Sequence, residues 1–333
     1  LRIFAAKRNA LIEQVRGRCP VKAAVFRRYG GNEAVGVGDV PVPAAARGEV
    51  LIKVHAASVN PVDWKVRYGH ARIFTGSKFP KVLGCECAGE IFEAGTGAAK
   101  FRKGDRVVMY TSVKRLGAFA EYACTAEDRV YPITEGISFE QAACLPIAGL
   151  TALQSLRDHG RIEAGMKVLI NGASGGVGHF SVQIAKVFGA EVTGVTSGRN
   201  IEFVKGLGAD KVIDHTKEDF TKGIGRYDLV FDAVSMSSFG ACKRVMTDSG
   251  RYVSTLPNAT IVAQIITTFL PGRKARTMWV KPNAVDMAWM MAQITGGKVK
   301  VVVDKVYPLD RIKEALAASE TGRTRGKIVV TVG

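Results

Sequence analysis

Three short stretches of this 333-residue chain combine residue types and spacings that could do chemistry. The sharpest is Val168-Leu169-Ile170-Asn171-Gly172-Ala173-Ser174-Gly175-Gly176-Val177-Gly178, an apolar run that enters a glycine-rich turn. Glycines let such a turn close and let backbone N–H groups approach a pyrophosphate, while a helix starting in the turn adds the partial positive charge of its N-terminus. The spacing Ala173-x-Gly175-x-x-Gly178 fits the dinucleotide fingerprint, with alanine at its first glycine position. Ser174, Gly175, Gly176, Val177 and Gly178 are therefore candidate phosphate contacts. The second stretch ends the next strand, Val195-Thr196-Ser197-Gly198-Arg199-Asn200. A free ribose 2′-hydroxyl is usually held there by an acid, yet none stands between Val192 and Ile201. Ser197 can donate to a 2′-phosphate and Arg199 can fork onto it, so the expected cofactor is NADPH rather than NADH. The third stretch, Asn60-Pro61-Val62-Asp63-Trp64-Lys65, offers two amide N–H donors and an ammonium. It also reads as a helix start, with Asn at the N-cap, Pro first and Asp in the first turn.

These residues need elements to hold them. From Val21 to about Thr134, strands are expected at Lys22–Phe26, Glu49–Ala57, Glu86–Ala94, Arg106–Tyr110 and Ala118–Thr125, separated by Gly/Pro turns;. After two helices in 138–156, strands and helices alternate. Strands are expected at Lys167–Asn171, Glu191–Thr196, Lys211–Asp214, Leu229–Ala233 and Gly250–Thr255, and helices at Gly176–Phe188, Asn200–Leu207 and Ser238–Met246. Such alternation predicts an α/β doubly wound parallel sheet. Helix, strand, helix and strand follow at Asn283–Ile294, Val301–Tyr307, Asp310–Ala318 and Lys327–Val332.

Composition narrows the classes. With 47% hydrophobic and 23% charged residues, the chain is not a disordered protein;. Its longest apolar run, Ile261 to Leu270, is about half the length of a spanning helix;. Six scattered cysteines in a chain this size read as free thiols, not a disulfide framework;. Of the net charge of +17, a large share lies in the first thirty residues, which hold eight bases and one acid. Residues 1–20 read as a basic extension, either upstream sequence or a targeting segment. The expected location is cytoplasmic, or an organelle or membrane surface if that segment directs it there.

Further runs carry a resemblance. Ala57-Ser58-Val59-Asn60-Pro61-Val62-Asp63-Trp64-Lys65 is followed by Gly84-Cys85-Glu86-Cys87-Ala88-Gly89-Glu90, Phe101-Arg102-Lys103-Gly104-Asp105-Arg106-Val107 and Leu145-Pro146-Ile147-Ala148-Gly149-Leu150-Thr151-Ala152-Leu153, then by the glycine loop. In this order they resemble the medium-chain dehydrogenase/reductase superfamily, in its zinc-free quinone oxidoreductase-like branch with the alkenal/oxo-enone reductases, from Val21 to Val332. The resemblance implies a GroES-like β-rich catalytic domain (21–145 and 281–333) split around a Rossmann domain (146–280), with the active site in the cleft between them. It implies Thr151, His215, Asp232, Val234, Thr255 and Lys327 as further cofactor contacts, and it places Asn60 facing the nicotinamide, as donor to an oxyanion, with Lys65 as a nearby cation. Zinc-dependent relatives use a Cys where Asn60 stands and a His where Cys85 stands, so no metal is expected. The expected activity is hydride transfer from NADPH to an α,β-unsaturated carbonyl or a quinone, both small molecules. An enoyl-thioester reductase is the alternative, with Arg72, Lys78, Lys81, Lys114 and Arg115 available for its phosphates. A further alternative is an RNA- or membrane-surface-binding protein using Gly272-Arg273-Lys274-Ala275-Arg276, although nucleic acid is not an expected partner. Two copies are expected to pair through the Rossmann sheet edge near Ala275–Val280.

Overall fold

The computed structural model describes residues 20–256 and 260–332; the basic extension expected over 1–20 lies almost wholly outside them. The described chain forms two units. The first contains residues up to Cys144, Lys305–Gly322 and the chain from Ile328. Its strands are β1 (Val21–Phe26), β2 (Val35–Val40), β3 (Glu49–Val59), β4 (Lys81–Val82), β5 (Glu86–Ala94), β6 (Arg106–Tyr110), β7 (Tyr122–Ala126) and β8 (Val130–Pro132). Long β3 pairs antiparallel with β5, β7 and Lys327–Thr331, and β1 pairs antiparallel with β2 and β4. Phe26, Ile52, Leu83, Ile91, Met109 and Phe119 fill its core. Two expectations shift here. Strand β2 is unforeseen, because glycine alternates through Val35-Gly36-Val37-Gly38 and dilutes the apolar period. The strand expected from Ala118 starts at Tyr122; Phe119 instead spends its backbone on Ala24 and Leu83.

In the second unit, β9 (Lys167–Asn171), β10 (Glu191–Thr196), β11 (Lys211–Asp214), β12 (Tyr227–Asp232), β13 (Met246–Ser254) and β14 (Lys274–Thr277) form one parallel sheet in the order β11-β10-β9-β12-β13-β14. That is the doubly wound order, and its switch point falls between β9 and β12. The helix Gly178–Val187 follows β9 directly. The helix expected over Ser238–Met246 shrinks to Phe239–Cys242, because Met246 already opens β13.

The expected return to the first domain at 281 comes later, at Lys305. The helix Ala284–Thr295 stays with the second unit because its buried Asp286 accepts from Gln154 (2.8 Å) and Arg157 (2.6 Å). The edge strand expected at Ala275–Val280 is Lys274–Thr277, and its outward N–H groups are already taken. Thr267 Oγ1 accepts from Ala275 N (3.0 Å) and Gln264 Oε1 from Thr277 N (2.6 Å), both from the helix Thr260–Phe269. These two bonds occupy Ala275 and Thr277, while residues 278–280, the rest of the expected pairing edge, lie beyond β14. The basic run after the helix is also used internally: Arg273 pairs with Asp248 at 2.7 Å and Lys274 donates to the carbonyl of Thr267 at 2.8 Å. Among the described residues no helix is long and apolar enough to cross a membrane.

Candidate functional site

The turn after β9 is held from behind. Gly172 N and Ala173 N both donate to Val195 O on β10 (3.1 and 3.0 Å), and Gly175 N donates to Gly172 O. Gly172 sits at φ +80°, and a Cβ on Gly178 would lie 2.0 Å from Gly172 O, so no larger residue fits at that crossing;. Among the described residues, the amides of Ser174, Gly176 and Val177 donate to no other group, as an anion-binding turn requires;. Beneath the turn, buried His179 bonds Gly175 O through Nδ1 (3.1 Å) and meets Val302 N through Nε2 (3.4 Å). That assigns the neutral tautomer with its proton on Nδ1, and burial pushes the imidazole down to about 4. The sequence reading missed His179, which looks like any core residue of an apolar helix.

Ser174 is not free for a phosphate through its hydroxyl alone. Its Oγ accepts from Thr196 Oγ1 (2.8 Å) and Asn200 Nδ2 (3.1 Å), and its carbonyl accepts from Gly326 N (2.9 Å). Asn200 also reaches Ser197 Oγ (3.3 Å), which places Ser197 and exposed Arg199 in the turn after β10, as the spacing predicted. Lys327 is buried with its stem against the loop, its Cδ 3.3 Å from where a Cβ of Gly176 would be. His215 stands apart: its backbone N–H donates to Thr196 O, and its ring is exposed.

At the other strand ends several polar side chains bond within the unit. Asp232 is fully buried and accepts from Asn171 Nδ2 (2.9 Å), Ser237 N (2.7 Å) and Tyr252 Oη (3.0 Å), tying together the ends of β9, β12 and β13. Tyr252, forced up by burial and by Asp232, stays a phenol. Thr255 Oγ1 donates to Ala233 O (3.2 Å), and Val234 is exposed beside Gly172. Thr151 is buried in the helix Leu150–Gln154.

The first unit holds the other candidate group. Asn60 caps the helix Pro61–Arg67, and its backbone N–H donates to Asp63 Oδ2 at 2.8 Å. Its side-chain Nδ2 donates to Glu86 Oε1 at 2.6 Å and to Ser58 O at 3.2 Å. Both donors assigned to an oxyanion are therefore spent. The reason is Glu86, a fully buried carboxylate at the start of β5 that demands a donor;. The sequence placed Glu86 inside a motif but gave no sign of its partner. Lys65 is half-buried on the same helix, with its ammonium 5.4 Å from the Trp64 ring centre, and burial lowers its pKa. Three of the cations offered for a thioester, Lys81, Lys114 and Arg115, share a cavity of about 360 Å3. Arg115 is neutralised there by Glu49 and Lys81 is tied to Thr75 O (2.9 Å).

Two family models match this chain: the alcohol dehydrogenase GroES-like domain over residues 46–135 and the zinc-binding dehydrogenase over 207–330. The chloroplast envelope quinone oxidoreductase homolog of Arabidopsis thaliana is 35% identical over 321 residues, covering 92% of this chain and 97% of its own. An NADPH-dependent alkenal/one oxidoreductase, chloroplastic, of the same plant is 34% identical, covering 93% and 79%. Among solved structures, the quinone oxidoreductase from Coxiella burnetii superposes with TM-score 0.89 at 32% identity, covering 94% and 99%. A GroES-like unit together with a dinucleotide-binding sheet defines a medium-chain dehydrogenase/reductase, and the chain belongs to that superfamily. It is an oxidoreductase that uses a nicotinamide cofactor and acts on a small molecule. Its place is in the quinone oxidoreductase-like branch.

One of the two matching families is named for zinc binding. Zinc needs three or four side-chain ligands, and among the described residues no three His, Cys, Asp or Glu side chains stand together to hold a metal ion. Asn60 turns its amide N–H groups toward Glu86 and Ser58. Zinc does not fit these residues.

Proposed function

We propose that the protein is an NADPH-dependent reductase of α,β-unsaturated carbonyls or quinones that works without zinc. The observation that carries this reading is the loop Gly172–Gly178, whose partnerless amides stand at the carboxyl end of β9 beside the switch point of the sheet;. Ser174, Gly175, Gly176, Val177 and Lys327 would hold the pyrophosphate, and Ser197 with Arg199 the 2′-phosphate. When bound, the nicotinamide supplies the hydride. Lys65 is the side chain we assign to the negative charge that then develops on the acceptor oxygen, and its burial suits it to give up a proton;. Asn60 enters as a positioning residue, because it fixes the start of the helix that carries Lys65. Glu49 neutralises Arg115 in the Lys81–Arg115 cavity, which takes one cation from the thioester alternative. The chloroplastic names of the relatives support an organelle over a cytoplasmic location.

The test is a panel of enones, quinones and enoyl thioesters followed by NADPH absorbance, repeated with NADH and after dialysis against a chelator. Turnover of enones or quinones, a preference for NADPH of at least tenfold and no loss on chelation are expected. Loss of activity with removal of stoichiometric zinc, or turnover of enoyl thioesters alone, would reject the reading. Light scattering on the same sample tests the pairing of two copies expected near Ala275–Val280, for which a dimer is the expected result.

A further inference from the structure

The chain returns to the phosphate loop a second time, far along the sequence. Residues 323–327 pack with the second unit, separated from their neighbours on either side. Gly326 N bonds Ser174 O, and Lys327 lies against Gly176. Arg325 reaches the turn after β10: its Nε donates to Asn200 Oδ1 at 2.6 Å and its Nη2 to the carbonyl of Arg199 at 2.8 Å. Arg199 in turn donates to the carbonyl of Arg323 at 3.3 Å. Two exposed arginines are thus tied to the same turn, both guanidinium groups on neutral acceptors, and among the described residues neither forms an ion pair with a carboxylate. The acid that does reach this turn, Asp214, spends one oxygen on Thr216 N and Thr216 Oγ1, and its other oxygen lies against Gly198. Holding two like charges together without a counter-ion is unfavourable unless an anion joins them, and a planar fork fixed by two hydrogen bonds is preorganised for phosphate.

We propose that Arg325 is a specificity-determining residue of the cofactor site, and that with Arg199 it receives the 2′-phosphate that distinguishes NADPH from NADH. The inference rests on the NADPH reading above and adds to it a residue 125 positions from the turn it serves. Because its anchors are the Arg199 carbonyl and the Asn200 side chain, Arg325 is fixed before the cofactor arrives.

The experiment is equilibrium binding of NADPH, NADH, 2′,5′-ADP and 5′-AMP to the full chain, with wild type, Arg325→Ala and Arg325→Gln. Thermal melts confirm that each variant is folded. In the wild type, the 2′-phosphorylated ligands are expected to bind at least tenfold more tightly than their partners. Arg325→Ala and Arg325→Gln should each weaken NADPH and 2′,5′-ADP about tenfold, with NADH and 5′-AMP within twofold of wild type; glutamine can keep a hydrogen bond but removes the charge. A wild type without preference would reject the cofactor assignment itself, with Asp214 then the group that serves the ribose. A preference that survives in both variants would leave NADPH in place and overturn the role of Arg325. Equal weakening of all four ligands would also overturn it, since Arg325 would then merely shape the turn.

Discussion

At the carboxyl end of β9 the chain leaves the amides of Ser174, Gly176 and Val177 unused and packs the surrounding side chains behind them, around Val195 O, Thr196 and His179. At the end of β3, Asn60, Asp63, Ser58 and Glu86 close on one another. Both corners collect polar groups where a strand gives way to a helix. One leaves its donors open; the other consumes its donors on a carboxylate the chain itself supplies. Residue type does not separate them. What separates them is whether the nearest acceptor belongs to the protein, and Asn60 spends its two donors on such acceptors.

The comparison breaks most sharply at Gly178. Gly178→Val sets a side chain against the Gly172 carbonyl, and a backbone clash at that crossing is expected to cost about 5 kcal/mol. Denaturant melts should show the loss, with NADPH affinity falling at least a hundredfold in whatever fraction folds. Unchanged affinity would mean the turn is not the phosphate site.

Asn60→Ala tests the closed corner. Removing the donor to buried Glu86 together with the helix cap should cost about 4 kcal/mol. NADPH affinity should remain within twofold, because none of the bonds lost belongs to the loop. A stable variant with reduced kcat would instead return Asn60 to the chemistry.

A smaller effect sharpens the contrast through pH. His179 titrates near 6.5 when unfolded and at about 4 in the folded chain. A depressed pKa stabilises the fold above the unfolded value, and that contribution is lost as pH falls from about 6.5 through about 4. It amounts to about 3 kcal/mol. Melts across this range should steepen in the wild type and flatten in His179→Gln; parallel curves would remove His179 from the support of the loop.

What could be read from the sequence was local. Strand β9, the turn and the following helix declare themselves within a dozen residues, because each step is backbone chemistry that glycine and apolar runs write directly. The turn that carries Ser197 and Arg199 was legible for the same reason. Glu86 bonding Asn60 and Arg325 bonding Asn200 were not, since a pairing across 26 or 125 positions leaves no spacing to recognise. The cover on β14 was hidden too: Gln264 and Thr267 look like polar interruptions of an apolar helix until their oxygens are seen on the Thr277 and Ala275 amides. His215, implied by resemblance alone, follows β11 with its side chain exposed.

The segment Arg323–Lys327 has a consequence for how the protein is made. The turn after β9 leaves the ribosome long before the residues that brace Ser174, Asn200 and Gly176 have been synthesised. A nascent or prematurely ended chain therefore carries the fingerprint without its brace. Stabilisation by bound cofactor grows with affinity, so it falls preferentially on chains that have been finished.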